Sequence, residues 1–164
     1  MRAVIFDLDG TLCDSAPDLR AAANKLLQSI GHKPLSLEVV KSFIGNGVPK
    51  LVERIMVHSE IELTMSRHIE LYAEFERIYG ANPVERTVLY PGVRDALDML
   101  QRRGYAMGIC TNKAHKITLM VLEGLKIDHF SMRLLVATVF QPINRIPRCC
   151  TNASCNYDQL MFGT

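Results

Sequence analysis

The chain has 164 residues, 48% of them hydrophobic and 22% charged, with a formal net charge of +2. That length suits one modest domain, or a domain with a small insert. So small a basic excess argues against nucleic acid as a partner, no apolar run reaches the length of a membrane span, and no positively charged start precedes an apolar core as in a secretory leader. A soluble cytoplasmic protein is expected, with no signal of oligomeric state.

In chain order, Val4-Ile5-Phe6 is a short apolar run expected to form a buried strand. It runs into Asp7-Leu8-Asp9-Gly10-Thr11. Helical spacing follows: Ser15 can cap, Pro17 fits the first turn, and Leu19, Ala22, Ala23, Leu26, Leu27 and Ile30 share a face before Gly31 stops the helix. A second helix is expected over about 36–44, broken by Gly45-Asn46-Gly47. Leu51, Val52, Ile55 and Met56 mark a third. Ile69, Tyr72, Phe75, Ile78 and Tyr79 mark a fourth, ended by Gly80. Tyr90-Pro91-Gly92 opens a helix with Val93, Ala96, Leu97 and Leu100 inward and Gly104 beyond its end. Residues 105–110 form a second buried strand that ends in Thr111-Asn112-Lys113, and a helix continues to about Lys126. Strand, helix, strand, helix predicts an α/β fold with parallel pairing and right-handed crossovers. The all-helical stretch 14–85 interrupts that pattern as an inserted domain.

The chemistry gathers at two strand ends. Alternate strand residues face the same way, so Asp7 and Asp9 share a side, at the rim where open α/β sheets bind ligands. Two adjacent carboxylates repel, so either one holds a proton or both face a cation, and hard oxygen ligands suit Mg²⁺. Gly10 permits a tight turn in which Thr11 can hydrogen-bond. The alternatives are a surface turn that happens to hold acids, and a calcium loop, which wants more acids downstream and a distal Glu. Thr111 is expected to open a helix, where a hydroxyl and free N–H groups make an anion site. The plainer alternative is that Thr111 or Asn112 is only an N-cap.

DLDGT, the helical insert, YPGV and the strand-terminal TNK resemble the haloacid-dehalogenase-type phosphatases, closest to bacterial phosphoglycolate phosphatases, across about residues 3–130. The resemblance implies a Rossmann-like core (1–13 and 86–135) and a helical cap (14–85). It implies that Asp7 attacks phosphorus to form an aspartyl-phosphate, and that Asp9 protonates the leaving alkoxide and then activates water. Asp7 and Asp9, the latter through its backbone carbonyl, would hold Mg²⁺, with Thr111 and Asn112 on the phosphoryl oxygens. The partner implied is a small phosphate ester, 2-phosphoglycolate first. A sugar-phosphate phosphatase or phosphomutase of the same superfamily is the rival enzyme, and a non-catalytic remnant the rival of another class. Asp9 favours phosphate chemistry over dehalogenation, which needs no acid for an alkoxide. Gly45, Asn46, Gly47 and Lys50 resemble the cap's substrate loop, although a helix stop and restart explains the same residues. Arg20 and Lys41 read as solvated surface, and His115 and His129 as helix-end or surface residues.

Past Phe130 the resemblance stops. Of 17 acidic residues only Asp158 follows position 131, and three of five cysteines (Cys149, Cys150, Cys155) lie in the last 34 residues. The family's K-P-D-P lysine and its acidic G-D-S/T-x-x-D segment are missing, which implies weakened metal binding and impaired activity. The cysteine spacing fits no common zinc site. Read one base out of frame, the codons for 136–151 permit G-D-S-L-P-T-D-[K/Q]-P-D-P-A-[M/L]-L-H, the expected segment in order. A change of reading frame near 130–136 is therefore expected, with 136–164 an aberrant tail, an incomplete sheet and one of its faces uncovered.

Overall fold

The computed structural model describes residues 2–130 and 132–136. The tail from 137 onward, with its three cysteines and the shifted-frame segment, lies outside the described residues. The elements in order are β1 (Ala3–Phe6), β2 (Cys13–Asp14), α1 (Ala16–Ser29), α2 (Leu37–Phe43), α3 (Gly47–His58), α4 (Met65–Ala81), β3 (Val88–Leu89), α5 (Val93–Arg102), β4 (Ala106–Thr111), α6 (His115–Gly124), a 3-10 turn (Asp128–Phe130) and β5 (Arg133–Val136).

As the alternation of elements predicts, β1, β4 and β5 form a parallel sheet in that order. Phe6 pairs with Ile109, and Ile109 with Leu134. On that face Met107 and Ile109 are buried with Leu97 of α5, Val121 of α6 and Phe130. The opposite face carries Ile5 and Leu135, which are 52% and 42% exposed. One face of the sheet is thus open among the described residues, as expected.

Helices α1–α4 occupy 16–81. Leu19, Ala22, Ala23, Leu26 and Leu27 of α1 are buried, as are Leu51, Val52, Ile55 and Met56 of α3. Ser36 and Thr64 cap α2 and α4, their hydroxyls accepting the N–H groups of Val39 and Arg67. Three expectations change. The buried seam of α4 is Leu71, Phe75 and Tyr79, while Ile69 is half exposed; packing against α1 and α3 selects a narrower stripe than the apolar residues alone suggest. The helix also continues through Gly80 to Ala81, since a glycine inside a helix costs only about 1 kcal/mol relative to alanine and does not by itself end it. In α5 only Leu97 is buried and Ala96 is exposed, since that helix meets the core along one edge.

The two crossings between sheet and helices run side by side. β2 leaves and β3 returns as an antiparallel pair, Cys13 opposite Leu89. Asp18, only 3% exposed, locks the return. Its carboxylate accepts from the N–H of Arg86 and from both the N–H and the hydroxyl of Thr87, at 2.7–3.0 Å. An aspartate in the first turn also suits the positive end of the helix dipole. Among the described residues no helix is long and apolar enough to cross a membrane.

Candidate active site

The chain leaves β1 at Phe6 and turns at once. The N–H groups of Leu12 and Cys13 donate to the Leu8 carbonyl, and Gly10, at φ +83°, donates to that of Cys13. A side chain at that φ would be strained, hence the glycine. The turn buries Leu8 completely and leaves Asp7 and Asp9 on one cavity of about 40 Å³. Thr111, Asn112 and Lys113 join them from the end of β4, the neighbouring parallel strand. Leu19, Ile44, Gly45, Gly47, Val48 and Leu51 of the helical segment close the other side.

The repulsion between the two carboxylates is met by a cation in the protein itself. Lys113 is buried, with its side chain 2% exposed, and its ammonium lies 3.1 Å from Asp9 Oδ1. It donates to the Tyr79 hydroxyl at 2.7 Å. Burial pulls the Lys113 pKa down, but the Asp9 charge and Tyr79 outweigh it, so the group is held above its ordinary value. The Ser15 hydroxyl donates to the same Asp9 oxygen. Asp7 stands differently. Burial raises its pKa and the Asp9 charge adds to that, against the Leu8 N–H and Lys113; the net direction is upward. Burial likewise pushes the Cys13 thiol up to about 12, with Asp9 adding to the shift.

Thr111 closes β4 but does not open α6, whose N-cap is Ala114. The helix-start site expected at Thr111 is instead a short turn in which the Thr111 hydroxyl accepts the N–H of Lys113 at 3.2 Å. With its oxygen engaged as acceptor, the buried hydroxyl still has a proton to donate.

Among the described residues no cluster of three or more His, Cys, Asp or Glu forms. Mg²⁺ needs less: one or two carboxylates, with water and substrate phosphate completing its shell. Asp7 fits that demand: it faces the cavity from the end of β1, with the Leu8 N–H donating to its Oδ1. Lys113 and the Ser15 hydroxyl both engage one oxygen of the Asp9 side chain, Oδ1.

Residues 4–162 match the family described as haloacid dehalogenase-like hydrolase. The chain belongs to that family. Phosphoglycolate phosphatases of Pseudomonas fluorescens (strain Pf0-1) and Cereibacter sphaeroides (strain ATCC 17025 / ATH 2.4.3) are similar to this haloacid dehalogenase-like hydrolase. The first is 43% identical over 134 residues, covering 79% of this chain and 48% of the relative. The second is 40% identical over 127 residues, covering 77% and 58%. The chain thus spans about half the length of the curated relatives it matches. A solved structure described as a predicted phosphoglycolate phosphatase, from Haemophilus somnus 129PT, superposes with a TM-score of 0.78 at 32% identity, over 87% of this chain and 65% of that one. A predicted phosphatase from Clostridium acetobutylicum shares the fold, with a TM-score of 0.72 at 20% identity, over 83% and 61%.

In this haloacid dehalogenase-like hydrolase the structure brings Asp7, Asp9, Thr111, Asn112, Gly45 and Gly47 to one cavity. Gly10 and Thr11 lie behind it in the exposed turn. Asn46 turns away, its Oδ1 accepting from Arg54, and Lys50 pairs with Glu53 at the surface. Arg54 also donates to the Phe43 carbonyl, so one guanidinium clamps the 43–46 loop. Lys41 is largely exposed and pairs with Asp14. Nothing in the sequence assigns a role to Lys113 or Arg54, and its spacing reads Ser15 as a helix cap and Tyr79 as a core residue. Lys113 adjoins a site residue, and that adjacency was its only signal.

Proposed function

We propose that this chain is a phosphatase of small phosphomonoesters, 2-phosphoglycolate first among them, working through an aspartyl-phosphate on Asp7. In this reading residues 1–13 and 86–135 are the catalytic core and 14–85 the cap. The observation that carries it is the convergence of Asp7, Asp9, Thr111 and Asn112 on one small cavity roofed by the helical segment. The similarity to phosphoglycolate phosphatases supports the substrate class.

The Asp7 carboxylate attacks phosphorus as the bond to the alkyl oxygen breaks, and Asp9 gives its proton to the departing alkoxide. Asp9 then takes a proton from water, the hydroxide attacks the acyl-phosphate phosphorus, and inorganic phosphate leaves with Asp7 restored. Splitting the transfer in this way replaces one difficult displacement with two easier ones. Thr111 and Asn112 donate hydrogen bonds to the phosphoryl oxygens. Mg²⁺, held by Asp7 and the Asp9 carbonyl, would offset the repulsion between carboxylate and phosphate. Leu19, Ile44, Val48 and Leu51 keep bulk water from the acyl phosphate. The cavity holds only about three water-sized volumes at ~10–15 Å³ each, which favours a compact ester.

The test is phosphate release from 2-phosphoglycolate with Mg²⁺. Turnover by the wild-type chain that falls at least about 1,000-fold in Asp7→Asn is expected, the loss of a nucleophile removing the covalent route. Turnover that survives the substitution rejects Asp7 as nucleophile, and a wild-type chain with none rejects the activity itself.

A further inference from the structure

We propose that Lys113 is a positioning residue: seated between Tyr79 of the helical segment and the Asp9 carboxylate, it fixes the acid at the cavity and ties its placement to that segment. The proposal rests on the phosphatase reading above for Asp9's task.

A lysine ordinarily carries its charge to solvent, and burying one demands partners for its three N–H groups. Here the side chain is 2% exposed, and Asp9 Oδ1 and the Tyr79 hydroxyl take the ammonium at 3.1 and 2.7 Å. The charge also stands 4.5 Å from the centre of the Tyr79 ring, within cation–π range. Tyr79 is 1% exposed and belongs to the last turns of α4, whereas Asp9 and Lys113 follow β1 and β4. One ammonium therefore joins the two parts of the fold. Among the described residues that line the cavity, Lys113 is the one cation.

The grip is selective within the carboxylate. Ser15, just before α1, donates to Asp9 Oδ1, the oxygen that also faces Lys113. Neither bond involves Oδ2, which is the oxygen turned over to proton transfer. Locking one oxygen from two sides sets the direction of the other, and a general acid works only where its proton reaches the leaving atom.

A merely structural lysine would, when replaced, slow every substrate alike. A lysine that aims the acid matters most for an ester whose leaving group needs a proton. The measurement is the ratio of kcat on 2-phosphoglycolate to kcat on p-nitrophenyl phosphate, whose phenolate departs without one. In Lys113→Met this ratio is expected to fall about 100-fold, the lower end of what general acids contribute. It should fall less in Tyr79→Phe and recover in part in Lys113→Arg. An unchanged ratio in both Lys113→Met and Tyr79→Phe overturns the proposal. A second reading needs no turnover, and so separates this proposal from the phosphatase assignment. The Asp9 carboxyl signal in ¹³C-aspartate-labelled protein, identified by its loss in Asp9→Asn, should shift in Tyr79→Phe because Tyr79 reaches Asp9 through Lys113. A signal that stays in place in folded Tyr79→Phe refutes the strut.

Discussion

Asp7, the proposed nucleophile, is a carboxylate in an unfavourable setting. Its pKa is raised first by burial and then by the neighbouring Asp9 charge. A carboxylate whose folded pKa exceeds its unfolded value holds its proton more tightly when folded. As pH rises from the unfolded pKa through the folded one, the folded state is therefore the one that loses stability. At neutral pH, without divalent ions, Asp7→Asn should raise the melting temperature while abolishing turnover; a lower melting temperature would contradict this account of the site. Such a gain on losing a functional group is a known trade-off. The Cys13 thiol offers a complementary check. Fully buried and pushed up to about 12, it should resist alkylation in the native protein at pH 8 and react only on unfolding. Rapid native labelling of Cys13, read by mass spectrometry, would show that the turn after β1 opens easily.

At the scale of elements, the helices were legible because apolar spacing reports burial directly, as the stripes of α1 and α3 show; β1 forms where its apolar run predicts but is not the buried strand expected, Ile5 being 52% exposed on the open face of the sheet. The pairing of β2 with β3 was not legible. Two-residue strands carry no period, and their partners lie far apart in sequence. Asp18 was hidden for the same reason, its partners lying at Arg86 and Thr87. Replacing it with Ala strands buried N–H groups and should cost about 2–4 kcal/mol in denaturant unfolding, the scale of charge-assisted hydrogen bonds lost in a core; a cost under about 1 kcal/mol would remove Asp18 from the crossing. The glycine loop can be tested separately. Gly47 sits at φ +81°, and a Cβ there would meet the Asn112 Cβ and carbonyl oxygen at 3.2 Å. Gly47→Ala should therefore cost about 1–2 kcal/mol of backbone strain and push the helical roof away from Asn112. The expected mark is a raised KM for the small ester, and an unchanged KM would place the loop outside recognition. At the site, Asp7, Asp9 and Thr111 were readable because strand ends in an α/β fold converge. Lys113 was not, since nothing in TNK says that a lysine turns inward toward a tyrosine 34 residues earlier.

For the molecule as a whole, the sheet is one-sided among the described residues. Ile5 and Leu135 leave apolar surface open on a sheet whose outer strands are β1 and β5. Exposed apolar sheet faces and edges invite association. The chain should bind a hydrophobic dye such as ANS in its native state, and Ile5→Thr should reduce that signal; native protein without dye binding would mean that the face is covered. The shifted-frame segment has its own test in the gene. Sequencing codons 128–150 should find an inserted or missing base relative to a frame encoding G-D-S-L-P, and an uninterrupted ancestral frame would remove that explanation. The central claim concerns Asp7. Protein quenched in acid during turnover of 2-phosphoglycolate carrying radioactive phosphorus, then digested, should hold its label on the peptide containing Asp7. Turnover that proceeds with that peptide unlabelled, or with label on any other residue, would contradict the account.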